Sequence, residues 1–126
     1  MATERKIRII AGPVQAEATL NESPTATSIW NALPIEARGN TWGDEIYFSI
    51  PVNAKQEKDA RDLVAVGELG YWAPGTAFCI FFGRTPASTD DRPRAASPVN
   101  IIGTVSGDAT VFRKVSSGTK VTLERA

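Results

Sequence analysis

The sequence has no histidine and a single cysteine among its 126 residues. The first absence excludes every chemistry that needs an imidazole: Ser-His-Asp and Cys-His catalysis, and metal ligation by histidine. The second excludes an internal disulfide and any zinc site built from two or more cysteines of the chain. Net charge is missing too. The 14 Lys and Arg balance the 14 Asp and Glu, so no long-range field draws the chain to nucleic acid or to an anionic membrane. Basic residues around Lys6–Arg8 and Lys55–Arg61 are interleaved with or flanked by acidic ones, the pattern of a solvated surface. No apolar run approaches the ~20 residues of a membrane helix, and Met1–Gly12 lacks the apolar stretch of a signal segment. The lone thiol, Cys79, lies inside the apolar run Phe78–Phe82, which fits a reducing compartment. These features predict a cytoplasmic protein with neither a nucleic-acid nor a membrane partner, no metal and no cofactor.

What the chain does contain is strand patterning. A length of 126 residues suits one domain, residues 1–126, able to bury a substantial core. Lys6–Ala11 and Val14–Leu20 both alternate around the Gly12-Pro13 break and predict a hairpin. Ser23 as N-cap, Pro24 at the first helical position, and Ala26, Ile29, Trp30 and Leu33 at helical spacing predict one short helix that stops at Pro34. Strands are expected at Ile35–Arg38, Glu45–Ile50, Leu63–Val66 and Gly67–Trp72. Asn53–Asp62, the most charged stretch, reads as an exposed excursion. Ala77–Phe82 has no alternation, the signature of a central strand buried on both faces. Gly83–Pro98 reads as a long loop, Val99–Val105 as a strand with a turn at Gly107-Asp108, Thr110–Val115 as another strand, and Lys120–Glu124 as the last. Roughly eight short strands with one helix predict a mainly β fold, a closed barrel or a sandwich.

Recognisable catalytic motifs are absent. Gly67-Glu68-Leu69-Gly70 lacks the lysine and the strand-to-helix setting of a phosphate loop. Asp44 and Glu45 are adjacent, so on a strand they point to opposite faces and cannot face each other as a pair. Cys79, in an apolar strand, reads as an inert buried thiol. The aromatic residues Trp42, Tyr47, Phe48, Trp72, Phe78, Phe81 and Phe82 fall in or beside the central strands, and most are expected in the core. Those on the other face, with Arg38 or Arg84 nearby, would form an apolar patch with a polar handle, the usual make-up of a ligand site.

Taken together, Asn21–Ala26, Trp42–Phe48, Tyr71–Gly75, Phe78–Pro86 and Pro98–Gly103 resemble the small cyclophilin-like family of bacterial and archaeal proteins, across about Lys6 to Glu124. The resemblance implies a closed, mostly antiparallel eight-stranded barrel with one clear short helix and brings no assigned activity. Similarity to true cyclophilins is partial. Ala77–Phe81 looks like their Ser-Gln-Phe-Phe-Ile strand, and Ile101–Gly107 like their Val-Phe-Gly-Lys-Val-x-x-Gly segment. Their Phe-His-Arg strand corresponds to Ile35-Glu36-Ala37-Arg38, where Arg38 alone could stand in for the catalytic arginine. Gly43–Tyr47 replaces their Gly-Phe-Met-x-Gln pattern.

Two readings follow. One is a binding module that captures a peptide or small-molecule ligand without chemistry, with Trp42, Glu45, Tyr47, Phe78, Phe81 and Arg84 as candidate ligand-binding residues. The other is a peptidyl-prolyl isomerase in which an apolar pocket holds the proline ring and Arg38 donates to the prolyl nitrogen. Missing pocket residues favour the first. A structural or oligomer-forming role for exposed aromatics stays open, and the sequence sets no oligomeric state.

Overall fold

The computed structural model describes residues 4–126, so residues 1–3 of the segment Met1–Gly12, and of the expected domain, lie outside the described residues. The chain runs β1 (Arg5–Ala11), β2 (Val14–Leu20), α1 (Pro24–Ala32), β3 (Ile35–Arg38), β4 (Asn40–Thr41), β5 (Glu45–Ser49), β6 (Arg61–Leu63), β7 (Glu68–Trp72), β8 (Ala77–Phe81), β9 (Arg94–Val105) and β10 (Lys120–Arg125). Short 3-10 helices follow β7 at Ala73–Gly75 and β9 at Ala109–Lys114. No helix of the described residues is long and apolar enough to cross a membrane.

Antiparallel pairing links the strands in the order β3-β10-β1-β2-β9-β7-β8-β5-β4, with β6 attached to β9. The sheet is therefore ten-stranded and open, not a closed barrel of eight. Its two ends, β3 and β4, are consecutive in the chain and separated by Gly39 alone. Gly39 exchanges backbone hydrogen bonds with Gly118 and Thr119, 2.8 Å each, ahead of β10. The chain itself crosses the seam there, and Gly39 packs so closely that a Cβ on it would press on Ile46 and Val121 at 3.1 and 3.2 Å.

Local chemistry explains the elements that the pattern foretold. Alternation in β1 puts Ile7, Ile9 and Ala11 inside. Helix α1 is capped by the Ser23 hydroxyl, which accepts from the Ala26 amide at 3.2 Å, and it buries Thr25, Ala26 and Ile29. Both faces of β8 are covered. Phe78 and Ile80 face the main core with Ile46, Phe48, Leu69, Tyr71 and Ile102, and Phe78 stacks on Phe48 at 5.3 Å. Ala77, Cys79 and Phe81 face a second, smaller core with Val64, Ala95 and Val99.

Several segments differ from expectation. Thr110–Val115 does not pair as a strand. The Asp108 side chain accepts from the Thr110 amide at 3.0 Å and starts a 3-10 turn that buries Phe112. The last five residues of the expected loop Gly83–Pro98 are strand: Arg94 already belongs to β9, whose first half pairs with β6 and whose second half joins β7 and β2. Pro98, which has no N–H to give a ladder, stands near this change of partner. Nor is Asn53–Asp62 wholly free. The Asn100 amide accepts from the Glu57 N–H at 2.7 Å and donates to the Lys55 carbonyl at 2.9 Å and the Thr25 hydroxyl at 3.0 Å. The Thr25 hydroxyl in turn donates to the Glu57 carboxylate. The Tyr71 hydroxyl donates to the Val52 carbonyl at 2.6 Å.

Candidate functional site

The first half of β9 is carried by β6 across the outer face of β5, β8 and β7, and between these layers a cavity of roughly 240 Å³ stays open. Trp42, Glu45, Tyr47, Trp72, Cys79, Ala95, Ala96 and Val99 line it. Strand period sets the floor: Glu45 and Tyr47 are two apart on β5, with Phe81 and Cys79 directly opposite on β8. Beside Cys79, Gly70 on β7 contributes no side chain. A Cβ there would strike Val99 at 2.8 Å and Phe81 at 3.2 Å, so this glycine lets the β9 layer approach the floor.

The walls are held from behind. Trp42 sits in the β4–β5 turn, where its N–H donates to the Glu45 carbonyl at 2.9 Å. Gly43 has φ +61 and backs onto Arg84, Thr85 and Pro86, where a Cβ would come within 2.9 Å. Both demands admit glycine and little else. Trp72 donates its indole N–H to the Ser97 hydroxyl at 2.6 Å, and its ring lies over Gly75, where a Cβ would be 2.9 Å away.

Electrostatically the cavity has one centre. Glu45 is 6% exposed, and among the described residues no basic side chain comes within 4.0 Å of its carboxylate. Burial lifts its carboxyl from the ordinary 4.5 to about 7, the neighbouring Cys79 thiol opposing the rise. The thiol is driven well above its usual range by its own burial and by the neighbouring carboxylate. It stays protonated at neutral pH and is no nucleophile. Cys79 is thus a wall residue, as inert as its apolar strand suggested.

The predicted site residues divide. Trp42, Glu45 and Tyr47 come together in the cavity. Phe81 is fully buried in the small core that underlies it. Phe78 points to the opposite face, into the main core, because it is one residue out of phase with Cys79. Arg84 is exposed; its carbonyl accepts from the Asp44 amide at 2.8 Å, while its guanidinium reaches outward to Asp91 at 3.7 Å. Arg38 does not line the cavity. It sits on β3 opposite Lys120, donates to the Gly118 carbonyl at 2.9 Å and lines a shallow dent with Glu36, Ala37 and Lys120. Asp44 and Glu45 do diverge: Asp44 reaches out to Arg113 at 3.4 Å, while Glu45 faces the cavity. Trp72, Ala95, Ala96 and Val99 were not singled out as ligand-binding. Trp72 carried a signal, an aromatic two residues beyond Gly70, whereas the β9 residues carried none. No group of three or more His, Cys, Asp or Glu side chains is gathered to hold a metal ion among the described residues.

Comparison with known proteins adds a family and no activity. The cyclophilin-like family model matches residues 5–124. The solution structure of a hypothetical protein from Archaeoglobus fulgidus superposes with a TM-score of 0.83 at 40% sequence identity, covering 100% of this chain and 98% of that one. No curated protein matches the chain. With nearly its whole length inside the family model and a solved relative of the same fold, the chain belongs to the cyclophilin-like family.

Proposed function

We propose that the protein is a binding module whose site is the cavity between β5, β8, β7 and the first half of β9, and that it takes an apolar group of a peptide or small molecule without transforming it. The observation that carries this reading is the make-up of the cavity: Trp42, Tyr47 and Trp72 around a single buried carboxyl. Aromatic walls with one convergent polar group are the usual composition of a ligand site. The Trp72 indole is held by its bond to Ser97 without a ligand, so little of its side-chain freedom remains to be lost on binding. The isomerase alternative is weaker. It needs an arginine donor beside the apolar pocket, and among the described residues no arginine lines the cavity.

The test is an amide and indole NMR titration with benzyl alcohol, indole and benzylammonium, each in turn, as probes. Shifts confined to Trp42, Tyr47, Trp72, Cys79 and Val99, with the Trp30 indole unmoved, are the expected result. Trp30 serves as the internal control because it packs under Arg125, whose guanidinium lies 4.3 Å from its ring. Absence of shifts in the cavity at millimolar probe, or shifts centred elsewhere, would overturn the proposal.

A further inference from the structure

Glu45 is the only carboxyl among the residues lining the cavity, and its surroundings specify a charge. A buried carboxylate with no cation beside it, in a cavity shared with aromatic side chains, has an unmet electrostatic demand. Tryptophan and tyrosine faces attract cations through the ring quadrupole, and they do so most strongly where water is excluded. The two attractions act within one cavity, since Tyr47 is two residues from Glu45 on the same strand face and Trp42 and Trp72 share the lining. The desolvation of Glu45 has already been borne by folding. An incoming ammonium therefore loses its own hydration but meets a carboxylate that has no more to lose, which shifts the usual balance of a buried ion pair toward binding.

From this geometry we infer that the cavity is specific for a primary ammonium carried on an apolar stem, the ammonium pairing with Glu45 and the stem lying among Trp42, Tyr47 and Trp72. The inference rests on the binding reading above and narrows it to one ligand chemistry. Such an ammonium occurs on a free amine or on a lysine side chain, and the two sources are separable by experiment. A cavity of roughly 240 Å³ has room for a group of either size.

Binding is proton-linked. With its carboxyl at about 7, Glu45 is mostly ionised above neutrality and mostly protonated below it. The titratable groups that share the cavity are Tyr47 on β5 and Cys79 on β8; Trp72 on β7 and Ala95, Ala96 and Val99 on β9 carry no proton to exchange. Cys79 stays a thiol, so the pH dependence belongs to Glu45. Affinity for an ammonium is expected to fall about tenfold for each pH unit below neutrality.

The test compares benzylammonium with its neutral counterpart benzyl alcohol, and Nα-acetyl-lysine methylamide with its norleucine analogue, by tryptophan fluorescence and NMR near pH 8 and pH 5. The expected result is a preference of about tenfold or more for an ammonium over its neutral partner at the higher pH. That preference should be lost at the lower pH and in Glu45→Gln. The ammonium that binds more tightly names the source. Equal or tighter binding of the neutral partners would overturn the inference and leave the binding reading standing. Failure of every probe to bind would overturn both.

Discussion

Glutamine at position 45 is the substitution whose effect on stability can be worked most directly. In the folded protein burial raises the Glu45 carboxyl from 4.5 to about 7, whereas in the unfolded chain it titrates at its ordinary value. Between those values the native state holds a proton that the unfolded state has released. Stability therefore falls as pH rises, by about 1.36 kcal/mol per pH unit, and the loss is complete above the folded value. Over the whole interval this amounts to roughly 3 kcal/mol. The lowered carboxyls of Glu68, Asp90 and Asp108 work in the opposite direction: their stabilisation is present above the ordinary carboxylate range and lost as pH falls through it. They leave the interval from about pH 5 to about pH 8 to Glu45. Urea unfolding of the wild type and Glu45→Gln across that interval isolates the effect, because glutamine has nearly the same shape and no proton to release. The variant should gain on the wild type by about 1.4 kcal/mol per pH unit up to neutrality and then level off. A difference that stays within about 0.5 kcal/mol across the range would refute the account of a buried, unpaired carboxyl.

Other substitutions test how the site is held. Asn100→Leu removes the partner of the Glu57 N–H and the Lys55 carbonyl; it should cost about 2–4 kcal/mol in urea unfolding and speed amide exchange at Glu57, and unchanged exchange there would contradict the role given to Asn100. Gly103→Ala places a Cβ 2.3 Å from the Thr19 carbonyl oxygen, within the β2–β9 ladder. It should destabilise by about 3 kcal/mol. Gly107→Ala meets nothing within 4 Å but keeps φ +78, so its thermal midpoint should reflect about 1–2 kcal/mol of backbone strain alone.

Element types were legible from the sequence because each rests on local chemistry. The Gly12-Pro13 break, the Ser23 cap and the unbroken apolar run of β8 are all short-range signals. The misread segments are those in which local and distant demands diverge. Thr110–Val115 has strand-like residues, yet the Asp108 cap turns it into a 3-10 helix. Arg94–Pro98 has loop-like residues, yet β6 recruits it as a strand. The openness of the sheet was equally hidden, since the count of strands does not say whether β3 and β4 pair or merely follow one another across Gly39.

The same division holds at the site. Composition alone ruled out imidazole chemistry and a disulfide, and period-two alternation alone set Asp44 and Glu45 on opposite faces. Family resemblance, carried by motifs along nearly the whole chain, was readable as well. What only the tertiary structure decided is which residues meet. Alternation tells a side chain's face but not its strand's partner. For that reason Phe78 went to the main core, Arg38 and Arg84 to the outside, and Trp42 and Trp72, 30 positions apart in the chain, came to one carboxyl. A cavity depends on distant segments packing face to face, and here β6 and Gly70 bring the β9 layer over Glu45.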